Sequence, residues 1–300
     1  MNFIKGIIFT IISAFVFGII PIFAKMTYAG GSNAITLTFL RALFGVPFLY
    51  IGVRKNKVSL KISKSEFFQF IILSFLGIGI TIIALYLSYS YISVGMATTL
   101  HFLYPCIVYF ICILFFKEKI TLLKLLALVF SMIGTMILVG EVTGSNLFGI
   151  FLATLSGVTY SLFLIYLDKS KFKYMDPFKC NLYISLFNVV GFLVFGMAIN
   201  KLTFSISTTA WFLSILIAFL STIFGKVFLQ YGVKYCGATT ASVLGTFEPI
   251  TSVFLGILFL GESINISKFI GSSFIIFATI LLFLNKELND ELKNKIKVEE

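Results

Sequence analysis

Ten apolar runs, each of bilayer-crossing length and joined by short polar connections, leave this chain almost no choice of fold. They cover approximately residues 6–25, 34–53, 67–91, 96–116, 121–140, 147–167, 180–199, 211–232, 237–260 and 266–284. A spanning helix needs about 20 mostly apolar residues, and each run is close to that length. Hydrophobic residues make up 59% of the chain and charged residues 12%, against roughly 45–50% and about 25% in soluble domains. The sequence therefore predicts an all-α integral membrane protein with almost no extramembrane domain. The first run, after Lys5, is read as a retained helix rather than a signal peptide, because it is long and resembles a later run.

The chain repeats at half its length. A shift of 144 positions between Met96 and Lys119 pairs Ala97 with Ala241, Leu100 with Leu244, Pro105 with Pro249, Phe110 with Phe254, Ile113 with Ile257, Leu114 with Leu258, Phe115 with Phe259 and Glu118 with Glu262. The same shift matches Leu85 to Leu229, Tyr91 to Tyr235 and Thr135 to Thr279, and a shift of 143 matches Gly6-Ile7 to Gly149-Ile150 and Ser13 to Ser156. Thr121 and Asn265 correspond too, and both are good N-cap types before an apolar run. The expected organisation is a first five-helix repeat over 1–143, a second over 144–285, and a charged tail over 286–300. Five helices is an odd number, so the second repeat must be inverted relative to the first.

The basic residues agree with that inversion. With the N-terminus inside, 18 of the 23 fall on the cytoplasmic side: Lys5, Arg54, Lys55, Lys57, Lys61, Lys64, Lys117, Lys119, Lys124, Lys169, Lys171, Lys173, Lys179, Lys234, Lys286, Lys293, Lys295 and Lys297. Lys25, Lys201 and Lys268 fall outside, and Arg41 and Lys226 lie within runs. Both termini are thus expected in the cytoplasm of a cell (inner) membrane. The net charge of +11 is explained by topology, and no nucleic-acid partner is needed.

Signatures of catalysis are missing from the sequence. Gly225-Lys226 is followed by Val227, so it is not a phosphate-binding loop. Cys106, Cys112, Cys180 and Cys236 have neither CxxC spacing nor a nearby histidine, which indicates no disulfide frame, metal site or cofactor. Inverted helical repeats with prolines at equivalent places are instead the layout of secondary transporters, whose sites lie near the midplane.

Glu248 is the leading candidate. It lies ~15 Å into its run at 1.5 Å per residue, where an ionisable group normally faces the bundle interior or a water-filled cavity. It reads as a ligand for a substrate cation or as a proton carrier; the alternative is a packing residue that satisfies broken backbone. Pro249 and Pro105 should free the Gly245 and His101 carbonyls. Lys226 either snorkels to the inner interface or turns inward, within reach of Glu248 and with Gln230 one turn further on the same face. A Lys/Glu pair in a cavity suits a zwitterion, or the two neutralise each other structurally. Arg41 reads as structural, capping a helix end or holding a loop carboxylate. His101 is a gate that titrates or a hydrogen-bonded interfacial residue. Tyr104 is the repeat counterpart of Glu248; with Tyr86 and Tyr160 it lines a pocket or packs in the core. Glu118 and Glu262 end equivalent helices and read as structural.

Glu248-Pro249 followed by Gly256-Ile-Leu-Phe-Leu-Gly261-Glu262, the weaker copy from Tyr104-Pro105 through Phe115-Phe116-Lys117-Glu118, and Arg41 resemble the drug/metabolite transporter superfamily in its EamA-type ten-helix form. The first copy has Tyr104 where the family commonly has Glu before Pro. The resemblance covers the chain to about Leu284. It implies a carrier of amino acids, other metabolites or toxic compounds, often an exporter; with the charged candidates, the reading is a secondary transporter of a small-molecule metabolite, an amino acid foremost, working by alternating access in the lipid bilayer with proton coupling as an option. Runs 1, 3, 4, 6, 8 and 9 would line the cavity. Efflux of lipophilic cations is the rival within transport; a non-transporting scaffold or receptor is the rival outside it.

Overall fold

The computed structural model describes residues 2–88, 91–92, 94–119, 121–139, 146–260 and 266–299. Among these residues the chain is helical throughout, with no strand. The elements are α1 (Asn2–Ala29), α2 (Ala34–Lys55), α3 (Lys64–Ser88), α4 (Val94–His101), α5 (Tyr104–Phe116), α6 (Leu122–Val139), α7 (Leu147–Lys169), α8 (Pro177–Ala198), α9 (Thr208–Gly245), α10 (Phe247–Leu260) and α11 (Ile266–Glu299). Among the described residues, seven helical stretches are long and apolar enough to cross a membrane, and Leu122–Leu138 and Phe269–Asn285 are shorter apolar helices. This is a multi-pass membrane protein.

Sequence chemistry sets the breaks. At 1.5 Å per residue the 38 residues of α9 would reach about 57 Å, well beyond the ~30 Å hydrocarbon layer. Gly237 folds the stretch: its φ of 81° and ψ of 163° lie where a side chain is strained and only glycine is at ease. Pro105 and Pro249 do not kink continuous helices. Each sits in the first turn of a new helix, where a missing N–H costs nothing. Run 96–116 is accordingly divided at Phe102-Leu103, and run 237–260 at Thr246. Asn33, Asn146 and Asp176 cap their helices through side-chain oxygens. Thr121 was expected to do the same before α6, but its buried hydroxyl makes no hydrogen bond. Asn265 and Glu262 lie outside the described residues.

The surface and the interior are inverted relative to a soluble protein. Leu114, Phe115, Leu147, Phe212 and Phe269 point outward, while many Ser and Thr side chains are buried and donate to carbonyls of their own helices. With no hydrophobic drive between helices in lipid, small residues let the backbones approach. A Cβ on Gly6 would lie 2.9 Å from Tyr235 Cβ, and one on Gly149 would lie 2.7 Å from Tyr91 Cβ. These two contacts join α1 to α9 and α7 to Tyr91, which follows α3, at positions related by the half-length shift. Gly134 and Gly271 meet face to face between α6 and α11. A Cβ on Gly18 would lie 2.7 Å from the Glu248 carbonyl, and one on Gly157 would lie 2.9 Å from the His101 carbonyl. Both helix breaks are therefore braced by a glycine of a neighbouring helix. Two π-helical stretches, Leu73–Gly79 in α3 and Leu220–Val227 in α9, widen the helix on either side of the central space.

Candidate functional site

The helix breaks, the π-helical stretches and the two braced carbonyls surround one cavity of about 160 Å³. Phe17 of α1, Thr81 and Tyr86 of α3, His101 of α4, Tyr104 of α5 and Tyr160 of α7 line it, together with Lys226 of α9 and Glu248 of α10. Arg41 of α2 and Asn181 of α8 complete the polar wall. The structure thus brings together Glu248, Lys226, Tyr104, His101, Tyr86 and Tyr160. The Tyr104 and Tyr160 rings meet edge to face at 4.8 Å, with the His101 ring 5.6–5.7 Å from both. His101 Nδ1 shares a hydrogen bond with Ser156 Oγ at 2.9 Å. The Tyr104 hydroxyl lies against Gly245, directly at the break that opens α10.

Arg41, Lys226 and Glu248 bring formal charges to this wall. Among the described residues, Arg41, Lys226 and Glu248 make no ion pair within 4.0 Å. Arg41, read from the sequence as structural, lines the cavity, and among the described residues no carboxylate lies within 4.0 Å of its guanidinium. Gln230 is a correction. It is 2% exposed and does not line the cavity; its Oε1 accepts from Asn181 Nδ2 at 2.8 Å and its Nε2 donates to the Phe172 carbonyl at 3.1 Å. The π-helical stretch ends at Val227, so the four-residue spacing that aligns side chains in an α-helix does not carry from Lys226 to Gln230. Leu229 takes the cavity position instead.

The EamA-like transporter family matches residues 4–140 and again 147–284. The chain belongs to this family. A similar protein is an uncharacterized transporter of Clostridium kluyveri, 27% identical over 95% of this chain and 96% of its own length. An uncharacterized transporter of Archaeoglobus fulgidus is 24% identical over 90% and 93%, and uncharacterized transporter YoaV of Bacillus subtilis is 27% identical over 78% and 81%. A solved crystal structure 12% identical in sequence shares the fold, with a TM-score of 0.81 over 93% of this chain and 97% of that one. As an EamA-family member, the protein is a membrane transporter with a small-molecule substrate.

A second polar cluster lies at one end of the EamA-family bundle. Glu118, just after α5, meets Lys169 Nζ at 2.5 Å and accepts from Thr239 Oγ1 at 2.8 Å. Asp168, with 1% of its side chain exposed, meets Lys169 at 3.0 Å and Lys173 at 2.7 Å. A Cβ on Gly237 would sit 3.8 Å from Asp168 Oδ2. The cluster therefore ties the ends of α5 and α7 to the fold in α9. Burial pushes the Glu118 carboxyl up, but the hydrogen bonds from Lys169 and Thr239 outweigh burial and hold it below the ordinary carboxylate value.

Sequence reasoning overlooked Asn181, Thr81 and Phe17. Asn181 had a signal, being an amide within an apolar run that must find partners once buried. Thr81 bonds Thr159 across helices at 2.6 Å, and neither threonine stands out among the many in the chain.

Proposed function

We propose that this protein is a secondary transporter of a small metabolite, an amino acid or related compound, that works by alternating access. It crosses the membrane ten times as two inverted five-helix repeats, 1–143 and 144–285. In this reading α4 and α5 form one crossing broken at 102–103, while α9 supplies one crossing up to Gly237 and the start of another that continues as α10. The two-fold family match, the paired glycine contacts at Gly6 and Gly149, and the π-helical stretches in α3 and α9 support the repeat. The basic bias of one set of loops supports cytoplasmic termini, a charged cytoplasmic tail from 286 and residence in the cytoplasmic membrane. Export is the direction implied by resemblance to the drug/metabolite transporters.

One observation carries the reading: Arg41, Lys226 and Glu248 face a cavity at the helix breaks and make no ion pair among the described residues. Half-buried ionisable groups within membrane spans are costly, and a purely structural interior has no reason to keep three of them on one wall. A bound solute with complementary groups relieves that cost. The cavity is near the roughly 150 Å³ that admits benzene and below the about 300–1,000 Å³ of drug-sized pockets. A small metabolite fits it better than a large lipophilic compound. Glu248 is also the group through which a proton gradient would couple.

In proteoliposomes, Glu248→Gln should reduce flux at least tenfold while the protein keeps its abundance and its size-exclusion profile. Unchanged flux would remove Glu248 from the site. Efflux of a lipophilic cation is the second reading, favoured by the tyrosine faces around Glu248. Arg41 and Lys226 on the same wall oppose it by like charge. Flux competed by quaternary ammonium compounds and not by amino acids would establish it. Stoichiometric binding of a membrane protein partner with no flux of any solute would favour a scaffold or receptor.

A further inference from the structure

The charges around the cavity define a narrower substrate class than a small metabolite, and the inference rests on the transport reading above. Two cationic side chains, Arg41 and Lys226, and one carboxylate, Glu248, face the space. None is paired within 4.0 Å among the described residues. His101 adds a ring whose Nδ1 is committed to Ser156, and three tyrosines supply neutral hydroxyls. The fixed groups therefore number two donors of positive charge against one acceptor.

A neutral amino acid would leave one cation uncompensated in the occluded state. A quaternary or basic amine would take Glu248 and raise the site's uncompensated positive charge from one to two. Removing one partner from a buried pair strands the other charge, and once a membrane cavity closes around its solute such a charge is costly unless the solute meets it. Giving each of the three side chains its own partner needs a solute with two anionic groups and one cationic group. Arg41 offers a planar fork that takes a carboxylate through two parallel hydrogen bonds. Lys226 offers a point charge from a separate helix, and Glu248 accepts from an ammonium. The cavity of about 160 Å³ limits the solute to roughly the size of benzene or a little larger.

We propose that the substrate is a small amino dicarboxylate, an acidic amino acid, whose two carboxylates are held by Arg41 and Lys226 and whose ammonium is held by Glu248. The occupied site then carries no net charge, which is the state in which it can be closed off from water and turned across the membrane most cheaply.

The test uses the full chain in proteoliposomes loaded in turn with L-aspartate, L-glutamate, succinate, L-alanine, L-lysine and tetraethylammonium. Aspartate or glutamate should exceed alanine, succinate, lysine and tetraethylammonium at least tenfold. Arg41→Gln should lower that flux at least tenfold, and Arg41→Lys should lower it less, because it keeps the charge and loses the fork. Glu248→Gln should erase the preference for aspartate over succinate. Alanine, lysine or tetraethylammonium moving as fast as the acidic amino acids would overturn the proposal, as would an unaltered preference in Arg41→Gln. Movement of one of those other solutes would still leave the transport reading standing. If no solute moves, the transport reading fails, and calorimetric binding of aspartate to the purified protein decides the site chemistry separately. Binding that is lost in Arg41→Gln supports it, and no binding overturns it.

Discussion

Removing the Glu118 carboxylate tests whether the charge cluster at the fold of α9 holds the bundle together. Glu118→Ala deletes a 2.5 Å ion pair to Lys169 and a 2.8 Å hydrogen bond from Thr239. Hydrogen bonds to charged groups are worth about 1.5–3 kcal/mol each. Asp168 stays 3.0 Å from Lys169, so the ammonium is not stranded. Glu118 and Lys169 are each 23% exposed, which places the pair between the 0–1 kcal/mol of a surface bridge and the 3–5 kcal/mol lost on breaking a buried one. The expected loss is about 2 kcal/mol, with a coupling to Lys169→Met of about 1 kcal/mol in a double-mutant cycle. Unfolding of the two single variants and the double variant by SDS titration in mixed micelles measures both. The pH dependence gives an independent sign. The folded Glu118 carboxyl titrates below its ordinary value of 4.5. Its contribution is therefore complete above that value and disappears as pH falls through the folded value. The gap between wild type and Glu118→Gln should close on acidification. A coupling below about 0.3 kcal/mol, or a gap that widens with acid, would refute the reasoning.

Other substitutions probe the elements that shape the cavity. Gly237→Ala should cost about 1–3 kcal/mol, because φ of 81° and ψ of 163° admit glycine alone; the nearest atom to the new methyl is 3.8 Å away, so the loss in unfolding free energy reports backbone strain and not a clash. Asn181→Leu should cost about 1–3 kcal/mol by leaving Gln230 Oε1 buried without its donor; the companion change Gln230→Leu in the same background should recover part of that stability, measured by the same titration.

Much of this protein was legible in the order of its residues, and the limit of that legibility is physical. Apolar runs of bilayer length predict spanning helices, because in hydrocarbon the backbone must satisfy itself. The shared 144-residue period, Tyr104-Pro105 against Glu248-Pro249, pointed to the two helix breaks before any coordinates did. Glu248, Lys226, His101 and the three tyrosines were candidates because polar groups are costly at that depth and stand out against an apolar background. The side from which each of them is approached was not legible. Arg41 read as a structural residue and faces the cavity; Gln230 read as a wall residue and bonds Asn181 instead. Helical spacing assigns faces only while the helix stays α, and Leu220–Val227 is π-helical, a state with no composition of its own. Periodicity and charge, which are local, were written in the sequence. The grouping of Arg41, Lys226, Glu248 and Asn181 from four helices around one space depends on how glycines let those helices approach, and that was decided by tertiary packing.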